Sequence, residues 1–130
     1  MIAVDTNVLV RVLTNDDPTQ ARRAMALMRS DTMWVSRTVL LETAWVLRHA
    51  YGLEDSTIGN SFATLLAVRG VVVEERADVV RALAWHSAGM DFADALHLTA
   101  SGATEAFATF DHALARTARR CGATPRVIAP

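Results

Sequence analysis

The sequence predicts an α/β fold built on a mainly parallel sheet. Short apolar or β-branched runs, such as Ile2 to Asp5 and Val71 to Glu74, alternate along the chain with longer stretches of helical period. Helix punctuation separates them: Asp17-Pro18 opens one helix, and Gly52, Gly70 and Gly122 mark helix ends. A chain of 130 residues, 52% of them hydrophobic, suits one domain (residues 1–130) with a substantial core, and no repeat, low-complexity tract or linker divides it.

In order, Ile2 to Asp5 reads as a short strand buried on both faces, because an unbroken apolar run favours the interior of a parallel sheet. Residues 7 to 13 follow as a helix. Asp17 caps the next, with Pro18 at its first position, and that helix runs to about Arg29. Met33 to Ser36 is the second strand. A helix from about Thr38 to Tyr51 closes at Gly52, and another starts near Asp55 or Ser56 and ends before Gly70. Val71 to Glu74 is β-branched and extended. Helices over about 77–88 and 92–101 precede a strand from Glu105 to Phe110. The last helix starts at about Asp111 and ends before Gly122, and Val127 with Ile128 forms a short final strand.

In such a fold the helices run antiparallel to the strands. Strand C-termini and helix N-termini then share one edge, where open α/β sheets bind ligands. Asp5 ends the first strand and Asp111 follows Ala108, Thr109 and Phe110, so both fall at that edge. Asp94 sits in the first turn of its helix and Glu42 in the second turn of another. Four carboxylates from distant segments are thus expected together. Each has a plain structural alternative: Thr6 or Asn7 suits a cap at the strand end, and Asp94 and Asp111 lie where acids favour the helix dipole. Glu42 is expected beside Val39, Trp45 and Val46, and a carboxylate on an apolar face is costly without an arginine or a cation. Gathered acids repel and raise one another's pKa, so the cluster calls for a cation. Oxygen-only ligands select Mg²⁺ or Mn²⁺.

Composition narrows the chemistry. The formal charge of −1 supplies no global field for a nucleic acid, so any such binding needs a local basic patch. All thirteen basic side chains are arginine, which removes a phosphate-loop lysine, a Schiff-base lysine and the lysine of phospho-receiver chemistry. Cys121 is the single cysteine and suits a reducing compartment. Neither a signal peptide nor a membrane span is discernible, making the cytoplasm the expected location.

DTN at Asp5 to Asn7, SRTVLLETAWVL around Glu42, DFADALHL around Asp94 and TFD at Thr109 to Asp111 resemble, in order and spacing, the four motifs of PIN-domain nucleases. Short chains of this kind are similar to the VapC toxins of bacterial toxin-antitoxin pairs, which are Mg²⁺-dependent endoribonucleases. The resemblance implies a three-layer α/β/α sandwich with a mainly parallel central sheet. It implies that Asp5, Glu42, Asp94 and Asp111 bind metal (Mg²⁺ or Mn²⁺) and carry catalysis, with Thr6, Asn7 and Thr109 in support. An RNA substrate, a cognate antitoxin and a homodimer are its implied partners, with no membrane involved. DFAD contains two acids, and Asp94 matches the family's position while Asp91 is placed to cap.

The remaining polar residues have ordinary readings. His97 is a core or rim residue, His112 is solvated, and His49 and His86 show no ligand spacing. Trp34, Trp45 and Trp85 are core or interface aromatics, and Cys121 shares an apolar face with Leu114 and Ala118. Arg116, Arg119 and Arg120 form a helix face, of which Arg116 or Arg119 is placed to contact RNA phosphate; Arg11 and Arg37 are weaker candidates. Trp45, Val46 and Tyr51, with Phe62, Leu65 and Leu66, offer an apolar face for a dimer. Two rival functions are an aspartate-based phosphatase and a catalytically silent binding module. The missing lysine and the D-T-N sequence weigh against the first, and four intact acids against the second.

Overall fold

Strands and helices alternate in the computed structural model, which describes residues 1–130. Twelve elements follow one another: β1 (Ile2–Ala3), α1 (Thr6–Thr14), α2 (Pro18–Ser30), β2 (Met33–Val35), α3 (Arg37–His49), α4 (Asp55–Ala67), β3 (Val71–Val73), α5 (Arg76–Ser87), α6 (Phe92–Ala100), β4 (Ala106–Ala108), α7 (His112–Cys121) and β5 (Arg126–Ile128). The chain divides into two compact units, Met1–Arg76 and Ala77–Pro130.

In the first unit three parallel strands pair in the order β1-β2-β3, with Ile2 opposite Met33 and Met33 opposite Val71. Its helices begin where short polar side chains meet free backbone donors. Asp17 accepts from the Gln20 amide at 3.0 Å with Pro18 at the first helical position, and Ser36 accepts from the Val39 amide at 3.1 Å. The α1 helix stops at Asn15, whose φ of 54° is the left-handed conformation that asparagine tolerates. Its neighbour α2 follows after a three-residue connection, and both α1–α2 and α1–α3 are extensive contacts. Leu9, Met33, Val35, Leu40, Leu47, Ile58 and Phe62 are almost wholly buried. Each such side chain contributes about 1.5–3 kcal/mol by leaving water.

In the second unit β4 and β5 pair in parallel, Phe107 opposite Val127, and α7 packs on β5. The α7 helix buries Leu114 and Ala118 and exposes Arg116, Arg119 and Arg120, a strongly two-sided pattern. Gly122, at φ 64°, ends it while its amide bonds the carbonyls of Ala118 and Arg119. No helix is long and apolar enough to cross a membrane.

Several expectations need correcting. Ile2 and Ala3 are exposed rather than buried on both faces, β1 being an edge strand of only two residues that pairs with β2 alone; only Val4 of that run is buried. The fourth strand ends at Ala108, where its partner β5 ends at Ile128, and Phe110 lies beyond it, 82% exposed. Phe62, Leu65 and Leu66 are buried, so they offer no dimer face; Trp45, at 62% exposure, is the large apolar side chain left on that side of α3. Cys121 is half-buried rather than enclosed. His86 is a core residue: it is buried, with Nδ1 2.8 Å from the Met90 carbonyl and its ring edge-on to Phe92.

Candidate functional site

Asp5 is the N-cap of α1, and its Oδ1 accepts from the Thr6 amide at 2.8 Å. The cap leaves the rest of the exposed carboxylate available. Thr6 is buried, and its hydroxyl donates a short hydrogen bond to Oε1 of Glu42, 36 positions along the chain. This bond ties the DTN segment to α3. Glu42 itself is exposed, contrary to its expected place on an apolar face. The buried stripe of α3 is Leu40, Thr43 and Leu47, so Glu42 and Trp45 fall on the helix's outer side. Thr43 is fully buried and its hydroxyl has no partner.

In the second unit Asp91 caps α6, its Oδ1 accepting from the Asp94 amide at 3.2 Å. Asp94, in the first turn of that helix, is half-buried. Burial pushes its carboxyl pKa up, the negative charges of Asp91 and Asp111 push it further, and His97 opposes them. Asp111 caps α7: its Oδ1 accepts from the Leu114 amide at 3.0 Å, and its own amide donates to the Thr109 hydroxyl at 3.0 Å. The structural alternatives are therefore real for Asp5 and Asp111, since both cap helices. Capping occupies one oxygen of each in the bonds observed and does not exclude a second role.

Thr6 and Glu42 are thus joined in the first unit, and Asp94 lies within electrostatic reach of Asp91 and Asp111 in the second. No three His, Cys, Asp or Glu side chains are gathered as a ready-made metal cage. Asn7 is exposed at the start of α1. Arg116 and Arg119 are exposed on α7, whereas Arg120 donates to the Ala88 carbonyl at 3.0 Å.

The weaker phosphate candidates are engaged within the fold. Arg11 donates to Gln20 at 2.8 Å, Asp16 at 2.9 Å and the Tyr51 hydroxyl at 3.2 Å, while Tyr51 donates in turn to Asp16. The Tyr51 bond, more than the Arg11 charge, holds the Asp16 carboxyl below its usual pKa. Arg37 lies 3.6 Å from Glu74, which also accepts the Arg37 amide at 2.7 Å. Asp16 and Glu74 carry no motif in the sequence, so these locks between segments had no local signal.

The sequence of residues 2–120 matches the family model described as PIN domain. The chain belongs to the PIN-domain family. The match spans almost the whole chain, and with it the chain takes the α/β fold and nuclease-type scaffold of PIN domains. Among curated proteins, no sequence matches this PIN domain.

Proposed function

We propose that this PIN domain is a metal-dependent endoribonuclease, acting through residues 1–130 as one nuclease domain. The observation that carries the reading is the bond from Thr6 to Glu42, which links two of the four family motifs through the very residues the family resemblance selects. Asp5, Glu42, Asp94 and Asp111 are the acids assigned to metal binding and catalysis, supported by Thr6, Asn7 and Thr109. Their chemistry suits a hard divalent cation: every donor is an oxygen, and burial together with the acids around Asp94 already disfavours its ionised form, a cost that a cation would relieve. Mg²⁺ or Mn²⁺, when bound, would polarise an RNA phosphate and acidify a water.

The chain's own residues prepare that chemistry. Thr6 fixes the direction of the Glu42 carboxylate, as a hydrogen-bonding partner behind a ligand does. Asp91 and Thr109 hold the starts of α6 and α7, so Asp94 and Asp111 sit on rigid helix ends. Arg116 and Arg119, free on the exposed side of α7, supply cations for the RNA backbone. The VapC resemblance adds a biological role as the toxin of a toxin-antitoxin pair in the cytoplasm. A cognate antitoxin would silence it, and a homodimer would draw on the exposed Trp45.

Incubating the purified protein with a mixed RNA pool tests the activity. Cleavage is expected with Mg²⁺ or Mn²⁺, and none with EDTA or in Asp5→Asn. Cleavage that persists in Asp5→Asn and in EDTA would remove the reading.

A further inference from the structure

A cleft of about 370 Å³ opens along the α1–α2 hairpin, lined by Asn7, Val8, Arg11, Gln20, Arg23, Ala24 and Leu27. We infer that this cleft holds one unpaired RNA nucleotide next to the cleaved bond, its base over Val8, Ala24 and Leu27 and its phosphate against Arg23. The inference rests on the ribonuclease reading and adds to it a positioning residue and a subsite.

Four features support it. The cleft begins at Asn7, two residues after Asp5, so its occupant would lie beside an acid assigned to catalysis. Its lining carries two guanidiniums and no carboxylate, although the chain as a whole is slightly acidic. Arg11 is already balanced by Asp16 at 2.9 Å, whereas Arg23 is exposed and makes no ion pair or hydrogen bond, so its charge is available to an anion. Asn7 and Gln20 contribute amides, and since Gln20 already accepts from Arg11 through Oε1, its NH₂ group is left to donate. Amide side chains beside an apolar floor match a base, which has flat apolar faces and a polar edge. The volume lies at the small end of ligand pockets, roughly 300–1,000 Å³, which suits one nucleotide better than a folded partner. An acidic peptide would use the guanidiniums but leave the amides and the floor without a purpose.

The test uses the full chain and a fluorescein-labelled single-stranded RNA of mixed sequence, in EDTA so that nothing is cut. Wild type, Arg23→Glu, Arg23→Lys and, as a charge-matched control on the same helix, Arg29→Glu are compared by anisotropy across a salt series. Arg23→Glu should weaken binding by at least about tenfold and lower the salt slope by about 1, with Arg23→Lys largely preserving both and Arg29→Glu changing affinity less than about threefold. RNA carrying 4-thiouridine should photocrosslink to the peptide containing residues 18–30. Because Arg23 is exposed and unpaired, each variant should melt with wild type, which keeps a folding defect out of the comparison. Equal losses in Arg23→Glu and Arg29→Glu, or crosslinks that avoid residues 6–30, would overturn the subsite. If wild type cuts RNA in Mn²⁺ but Arg23→Glu binds and cuts equally well, the subsite alone fails. If wild type neither binds nor cuts RNA, the ribonuclease reading fails and the subsite with it.

Discussion

The two units treat their acidic residues in different ways. In Met1–Arg76 the Glu42 carboxylate is exposed and steered by one buried hydroxyl, that of Thr6, from a distant segment. In Ala77–Pro130 Asp94 is half-buried and meets like charges from Asp91 and Asp111 instead of a donor aimed at its carboxylate. One acid is oriented by a hydrogen bond, and the other is loaded first by burial and then by neighbouring like charge. The lesson is that acids assigned one shared chemical task need not share one local solution: a hydrogen bond fixes direction, whereas burial beside like charge stores a preference for a cation.

The largest expected effect tests the crowded side. Asp94→Asn should lower RNA cleavage by about a thousandfold, the scale of losing a group that stabilises transition-state charge, while Asp91→Asn should keep at least about a tenth of the rate. Initial rates on one RNA substrate check this, and a more damaging Asp91 change would reverse the assignment of the two acids. Next comes the oriented side. Thr6→Val should weaken the Mn²⁺ dependence of cleavage by about 10–100-fold, and Thr6→Ser should restore most of it. Equal behaviour of the two variants would mean that the hydroxyl orients nothing of consequence.

Stability against pH separates the units further. A carboxyl whose folded pKa is raised favours the protonated fold, so its contribution is complete below the unfolded value of about 3.9 and is lost as pH rises through the folded value. Without metal, Asp94→Asn should therefore gain on wild type in melting temperature between acidic and neutral pH, and Mn²⁺ should narrow or reverse the gap. Asp16 has the opposite sign: its pKa is lowered, so what it contributes is present at neutral pH and is lost on acidification. Tyr51→Phe should accordingly cost more at neutral pH than in acid. The smallest effect concerns Thr43, next to Glu42 but turned into the core without a partner for its hydroxyl. Thr43→Val should stabilise the protein by about 1 kcal/mol, read by urea unfolding, since an unpaired buried polar group costs about 1–3 kcal/mol.

Local rules made most of the architecture legible. Asp17-Pro18 opened α2 and Gly122 closed α7, because caps and left-handed turns depend on a few adjacent residues. Capping by Asp111 could be read in the same way. What could not be read was phase and distance. The face that α3 buries is Leu40, Thr43 and Leu47, a choice made by the surrounding packing, and it turned Glu42 outward although its neighbours suggested an apolar setting. The exposure of Ile2 depends on strand order, which an apolar run does not encode. The Thr6–Glu42 bond and the Arg11–Asp16–Tyr51 cluster join segments about 35 to 40 positions apart, beyond any periodicity in a single element.

Tyr51 is the chain's only tyrosine, and its hydroxyl sits between Arg11 and Asp16 where α1, the start of α2 and the end of α3 come together. That junction consequently carries its own optical label. With no second phenol in the chain, a phenol-specific ultraviolet signal reports from this one place. The same hydroxyl donates to Asp16 and accepts from Arg11, so a change in its hydrogen bonding accompanies any loosening of this three-helix clasp. An unmodified sample could thus reveal whether anything settling along the α1–α2 hairpin tightens or releases that clasp.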